Sequence, residues 1–500
     1  MTLDGTPIAI TRDGDGLPTA IGPFALTRDG PGGRPTVVTD GTGVLTVEYD
    51  GHGRVIARRL VAGGITVYDA TYDWDAVGRL GQKAESVAGA AATVHEYGYD
   101  ADSQLALVTR NGMAVERYGY DARGNRTSRR LNEGATDVAV YDAQDRLQSQ
   151  GSVTYALDTD GFLTARGSAT FLHGARGELL LASAGGTTVQ YAYDALGRRV
   201  ARTVGTARTA YLYGNPENEL QLTAVRAPDG TLTLHHWDDG GRLLAIERDG
   251  TRWWVATDHL GSPRVVSDAQ GTVVRRLAYD AWGNVTLDTN PSFDLAVGWA
   301  GGLPDPTTGL VRFGLRDYDP ASGRWTTRDP ALRDGGQANF YAYAGNDPTS
   351  AVDPSGLWSV EASAYEGIGG GFKFSKTDEG FSLCAEAGFG VGEEVEVEPN
   401  GELERDRNVT VAKLSLGVGP LTEVELSTEL EGCDGDLDTT SKVKGCWLMY
   451  CQEGGGDHSV HTDPGEAAKH IEDGLGKGLR DNRLKVEGKL AGKFCQQVRW

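Results

Sequence analysis

The chain has 500 residues and a formal net charge of −22, with 70 Asp and Glu against 48 Lys and Arg. So strong an acidic excess argues against nucleic acid or an anionic membrane surface as a partner. Gly, at 71 residues, is spread along the chain as many hairpin turns require, and no apolar run approaches the ~18 residues of a transmembrane helix.

The opening stretch MTLDGTPIAITRDGDG lacks the basic and apolar regions of a signal peptide and reads as the middle of a repeat. The chain is therefore expected to be a piece of a longer polypeptide. From Tyr49 a degenerate unit, aromatic-Asp-x-x-Gly-Arg/Asn, recurs. It reads YDGHGRV at Tyr49, WDAVGRL at Trp74, YDADSQL at Tyr99, YDARGNR at Tyr120 and YDAQDRL at Tyr141, then YDALGRR at Tyr193, WDDGGRL at Trp237 and YDAWGNV at Tyr279. The steps are 25, 25, 21 and 21 residues, then 52, 44 and 42, so decayed units such as LDTDGFL from Leu157 fill the doubled gaps. A fixed period of this length signals stacked supersecondary units, none of which buries its apolar face alone.

Each unit alternates apolar and polar residues on both sides of a turn, as in LTVEYDGHGRVIARRL from Leu45, which is the pattern of a hairpin with one buried face. Asp50 is suited to accept turn N–H groups, and Gly53 to take a positive φ. Tyr49 is expected to pack between neighbouring hairpins with its hydroxyl bonded or wet. The repeated tyrosines thus have a structural task, and Tyr49, Trp74, Tyr99, Tyr120 and Tyr141 should occupy equivalent places. Residues 1–280 should hold strands and turns and no long helix.

Four blocks follow: TDHLGSPRVVSDAQG from Thr257, YDAWGN at Tyr279, TTGLVRFGLRDYDPASGRWTTRDP from Thr307, and NFYAYAGNDPTSAVDPSGL from Asn339 to Leu357. Together with the repeats they resemble the Rhs family of YD-repeat proteins, shared with insecticidal toxin-complex shells and the teneurins, over roughly residues 1–357. The resemblance implies a mainly β fold. A YD-repeat hairpin spiral or shell (1–256) would lead into an inward-curling core plug (257–357) with a DPxGL terminus, followed by a variable C-terminal domain (358–500).

It also implies an aspartyl protease that cuts its own chain after DPxGL, here at Leu357–Trp358. Such chemistry needs two carboxylates in one site, so that repulsion keeps one ionised as base and the other protonated as acid. Asp329 and Asp353 stand at the matching positions, with Arg328 beside the first to orient a carboxylate or polarise the scissile carbonyl. Asp317, Asp319 and Asp347 lie in the same blocks and remain candidates. The bland alternative is that these Asp-Pro and Asp-x pairs only form turns. The stretch ALRDGGQ after Pro330 departs from the family's Ile-Gly-Leu-rich sequence.

All five cysteines (Cys384, Cys433, Cys446, Cys451 and Cys495) lie in the tail, which marks a boundary near Trp358. Two disulfides with one thiol left over would imply an oxidising destination, secreted or at a cell surface. The rival is zinc at Cys446-x4-Cys451 with His458 and His461, a loose spacing, so no metal is expected. Strand-like runs GFKFSK, GFSLCAEAGFGVG and TVAKLSLGVG, with a hairpin at EVEVEPNGELERD, suggest a small sheet over 358–430. DPGEAAKHIEDGL, capped by Asp463 and Glu466, suggests a short helix in a mixed region over 445–500. No phosphate loop, nucleophile elbow or His-Glu-x-x-His occurs, so no cofactor is expected. Cys451, His458 and His461 form the tail's one cluster of catalytic type, weighed against a solvated loop.

The expected function is a polymorphic toxin fragment whose shell encloses its own C-terminal domain as cargo, with a cognate immunity protein as further partner. The alternative is a non-toxic extracellular surface protein for adhesion or carbohydrate binding.

Overall fold

A computed structural model describes residues 2–357 apart from 4–5, 217 and 331–338. Beyond 357 it describes only the strand backbones Val360–Glu361, Phe372–Thr377, Gly380–Phe389, Val409–Gly417, Glu423–Glu431 and Leu490–Arg499.

From Ile10–Arg12 to Val285–Asp288 every strand pairs antiparallel with the next one in sequence, giving a ribbon of 28 strands. The hairpin of Gly43–Tyr49 and Val55–Ala62 shows how a unit is built. Asp50 Oδ1 accepts the N–H groups of His52 and Arg54, both at 2.9 Å, Gly53 takes φ 77°, and the Arg54 guanidinium returns to Asp50 Oδ2 at 2.7 Å. Asp75–Arg79, Asp142–Arg146 and Asp194–Arg198 repeat this clasp, and Asp121–Asn125 and Asp280–Asn284 repeat it with an amide. This explains why the sixth place of the motif is Arg or Asn: both carry donors that reach back four residues to the turn carboxylate.

The aromatic of each unit has one recurring partner, a backbone carbonyl of the preceding hairpin. Tyr49 Oη donates to Pro35 O, Trp74 Nε1 to Val55 O, Tyr99 Oη to Leu80 O, Tyr120 Oη to Leu105 O and Tyr141 Oη to Arg126 O, over 2.7–2.9 Å. Tyr193, Tyr213 and Trp237 continue the series. An aromatic body fills the space between hairpins while its polar tip satisfies a carbonyl that burial would otherwise leave costly. Among the described residues no α-helix occurs; before residue 280 the only helical turn is the 3-10 piece Pro31–Gly33.

The ribbon curls until its first strands meet its last. Phe24, Leu45, Leu60, Tyr68 and Tyr72 share one core with Leu244, Trp254 and Val265. Arg252 pairs with Asp40 at 2.9 Å and Arg28 with Asp239 at 2.5 Å, and Arg264 forks onto both oxygens of Glu85. Fully burying each of those large side chains contributes about 1.5–3 kcal/mol, so the overlap is held mainly by apolar packing.

After Asp288 the chain leaves the ribbon and folds against its buried face. A four-stranded sheet forms from Leu303–Pro304, Val311–Phe313, Arg316–Asp319 and Arg324–Trp325. Trp299, Phe313, Tyr318, Trp325 and Tyr343 interlock, with Trp299 stacked on Tyr318 at 5.3 Å, and the group packs on Leu105, Val108, Tyr118 and Trp282. This plug is therefore bound to the ribbon by an aromatic core rather than tethered by a loop.

In the tail, Phe372–Thr377 pairs with Gly380–Phe389, and Val409–Gly417 with Glu423–Glu431, which matches the strand runs legible there. The hairpin expected at 394–406, the helix at 463–475, and Cys433, Cys446, Cys451, His458 and His461 lie outside the described residues, as do the side chains of Cys384 and Cys495.

Candidate active site

Two plug segments meet under the four-stranded sheet. The tight hairpin between Val311–Phe313 and Arg316–Asp319 pairs Phe313 with Arg316, and Gly314 turns it at φ 41°. A Cβ at Gly314 would overlap the Ser355 carbonyl, so glycine is what admits the chain terminus to this hairpin. Leu315 then donates its N–H to Ser355 O at 2.9 Å, and Arg316 Nε donates to Gly356 O. The DPSGL stretch is thereby laid along the hairpin.

Arg316 Nη2 lies 2.8 Å from Asp329 Oδ2 and 3.3 Å from Asp353 Oδ2. All three residues are buried, and the guanidinium lies over the Trp325 ring, 4.1 Å from its centre. Burial pushes the Asp353 carboxyl up to about 6, with Arg316 pulling it down and the Asp329 carboxylate pushing it further up. Burial also lowers the Arg316 pKa, opposed by the two carboxylates. On its other oxygen, Asp353 accepts the N–H of Leu357 at 3.1 Å and the hydroxyl of Ser355 at 3.2 Å. Leu357 is itself fully buried. Gly314 and Pro354 also line the edge of a cleft of about 90 Å³ shared with Arg198, Tyr213, Trp237 and Arg312, which neither Asp329 nor Asp353 lines.

Asp329 and Asp353, which sequence blocks alone nominated, thus converge on one cation. Arg328 does not join them. It is exposed and lies beside Gly161 and Tyr341, because neighbours in an extended segment face opposite ways and Asp329 faces inward. The position assigned to Arg328 is filled by Arg316, which sequence adjacency missed; its only signal was its place in the GLRDYDP block.

The other aspartates have structural partners. Asp317 is clamped by Arg199 at 2.6 Å and Arg312 at 2.8 Å; burial raises its carboxyl but those two cations outweigh it, and the net shift is downward. Asp319 holds Arg166 at 2.6 Å and Ser322 at 2.9 Å. Asp347 accepts from Thr349 and Ser350, whose hydroxyls meet that of Tyr99, and burial raises its carboxyl. These three anchor the plug to the ribbon or shape its turns. Among the described residues no group of three His, Cys, Asp or Glu is arranged to hold a metal.

The family description Teneurin YD-shell matches residues 13–349. Teneurin-3 of Danio rerio is 34% identical over 331 residues, covering 63% of this chain and 12% of that protein. Teneurin-4 of Homo sapiens is 33% identical over 327 residues with the same coverage. The chain thus spans about an eighth of the length of these curated relatives. Among solved structures, the crystal structure of TcdB2-TccC3 superposes with a TM-score of 0.58 at 18% identity, over 70% of this chain and 21% of that one. That of TcdB2-TccC3-Cdc42 gives 0.55 at 19%, over 65% and 19%. At such identities the likeness is one of fold.

Proposed function

This chain belongs to the teneurin YD-shell family, and from that premise we propose that its plug cuts its own chain at Leu357–Trp358, freeing residues 358–500 as cargo of a polymorphic toxin. In this reading residues 1–256 form the shell, 257–357 the self-cleaving core and 358–500 the effector. The protein works outside its cell of origin, secreted or at the surface, and a cognate immunity protein guards the producer.

The observation that carries the reading is the shared Arg316 contact of Asp329 and Asp353, with Asp353 also holding the N–H of Leu357. Two carboxyl groups on one cation cannot both ionise freely in a buried site, so the pair keeps one proton. The ionised partner takes a proton from water as its oxygen bonds to the Leu357 carbonyl carbon. The protonated partner gives its proton to the departing nitrogen of Trp358 as the C–N bond breaks. The products are a new carboxyl group at Leu357 and a new amine at Trp358.

The 34% identity to teneurin-3 favours a second reading, a non-toxic extracellular surface shell for adhesion or carbohydrate binding. One gel separates the chemistry. Purified wild-type chain should resolve into pieces of residues 1–357 and 358–500, whereas Asp329→Asn and Asp353→Asn should each leave one 500-residue band. An intact wild-type chain under native conditions overturns self-cleavage. Growth arrest on cytosolic expression of residues 358–500 supports the toxin reading, and its absence favours the surface shell.

A further inference from the structure

Ser355 is fully buried two residues before the proposed cut. Its hydroxyl donates to Asp353 Oδ1 and accepts the N–H of Leu357, each at 3.2 Å. The same N–H reaches Asp353 Oδ1 at 3.1 Å. A hydroxyl has one hydrogen to give, and here it is given to a carboxyl oxygen. Oδ1 therefore receives two hydrogens, one of them from the scissile residue. Oδ2 has the longer contact, 3.3 Å to Arg316 Nη2, and the same nitrogen holds Asp329 Oδ2 at 2.8 Å.

We propose that Ser355 is a positioning residue of self-cleavage, its hydroxyl holding the Asp353 carboxyl against the scissile residue through the Leu357 N–H that the two share. The proposal rests on the autoprotease reading above. Backbone holds Ser355 in place independently of its side chain, through the Leu315 N–H on its carbonyl and the Arg316 Nε on Gly356 O. Removing the hydroxyl therefore leaves the segment docked but loosens the Asp353 carboxyl from the scissile residue. It also removes a hydrogen bond that favours the ionised carboxylate, so Asp353 should hold its proton to higher pH.

The test follows the full 500-residue chain, made in a cell-free reaction and shifted to buffers from pH 4.5 to 8.5, by the appearance of the 1–357 band. Ser355→Ala should cleave roughly tenfold more slowly, with the alkaline limb of its rate profile moved up by about one pH unit. Ser355→Thr, which keeps the hydroxyl, should restore both. A Ser355→Ala chain with the wild-type rate and profile overturns the assignment. So does one that is slower with an unmoved limb, since that is a packing defect only. A wild-type chain that never cleaves overturns the autoprotease reading itself, a result distinct from either.

Discussion

Asp329 and Asp353 each set an Oδ2 on the same nitrogen of Arg316, at 2.8 and 3.3 Å, so a single guanidinium joins the two carboxyl groups. The pH dependence of cleavage follows. Asp353 titrates near 6, above its ordinary value, chiefly because it is buried. Its acid form is complete below about pH 4 and is lost as pH rises through 6, and the cleavage rate should fall with it. A rate constant from pH 5 to 8 would count against Asp353 as the proton donor.

Arg316 is the harder residue to remove. Arg316→Met leaves two buried carboxyl groups without their cation, and breaking a buried pair of this kind costs about 3–5 kcal/mol. Urea unfolding should show that loss, while Asp353→Asn, which removes a charge and keeps the shape, should cost much less. Arg316→Lys should recover charge but not the geometry that serves Gly356 O and both carboxylates at once. Equal midpoints for the Met and Asn variants would contradict this ordering.

How much of this was legible in the sequence depended on whether the signal was local. The turn of each unit was readable because Asp50, Gly53 and Arg54 act on one another within five residues. The equivalence of the aromatics was readable too, since one period sets one environment. Their partners were not, because Pro35 or Leu105 offers only a carbonyl, which any residue has. The carboxylate pair was visible only through ordered blocks, and its cation was misassigned to Arg328. Choosing Arg316 requires knowing that Phe313 faces Arg316 across a hairpin and that Gly314 admits Ser355 beside it. Neither relation has a trace in linear spacing. The contact of the ribbon's early strands with its late ones, as in Arg264 with Glu85, was hidden for the same reason.

The aromatic ladder predicts a graded response. Tyr120→Phe keeps the ring but deprives the Leu105 carbonyl of its 2.7 Å donor, and should cost about 1 kcal/mol. Tyr141→Phe should cost a similar amount at Arg126 O. Tyr120→Ala loses the ring's packing as well and should cost about 3–5 kcal/mol. Chemical denaturation of the three variants measures this. A Phe variant as damaging as the Ala variant would mean that the hydroxyl, not the stacked ring, holds neighbouring hairpins together.

Two buried glutamates should give the chain opposing pH responses. Burial alone would raise Glu85, but Arg264 and Lys83 outweigh it and hold the carboxyl down to about 2. Its contribution is therefore present above the unfolded value near 4.5 and is lost as pH falls toward 2. Glu116 is the reverse: burial, with the Asp280 carboxylate adding, pushes it up to about 7. It accepts the Tyr118 hydroxyl at 2.6 Å and the Ala281 N–H at 3.2 Å, which stabilise but do not neutralise its charge. Folded chain then holds a proton there that unfolded chain releases, so stability is full below about pH 4.5 and declines as pH rises to 7. A shift of that size corresponds to roughly 3–3.5 kcal/mol. Glu116→Gln, which cannot ionise, should lessen the decline between pH 4.5 and 7, most clearly above pH 6 where the raised carboxyls of Asp353 and Asp238 have already lost their protons, and leave the acid loss from Glu85 intact. Urea midpoints across pH 3–8 decide it: a wild-type profile flat from 4.5 to 7, or a Glu116→Gln profile that falls as steeply as the wild type between pH 6 and 7, would show that Glu116 is not the group that loses its proton.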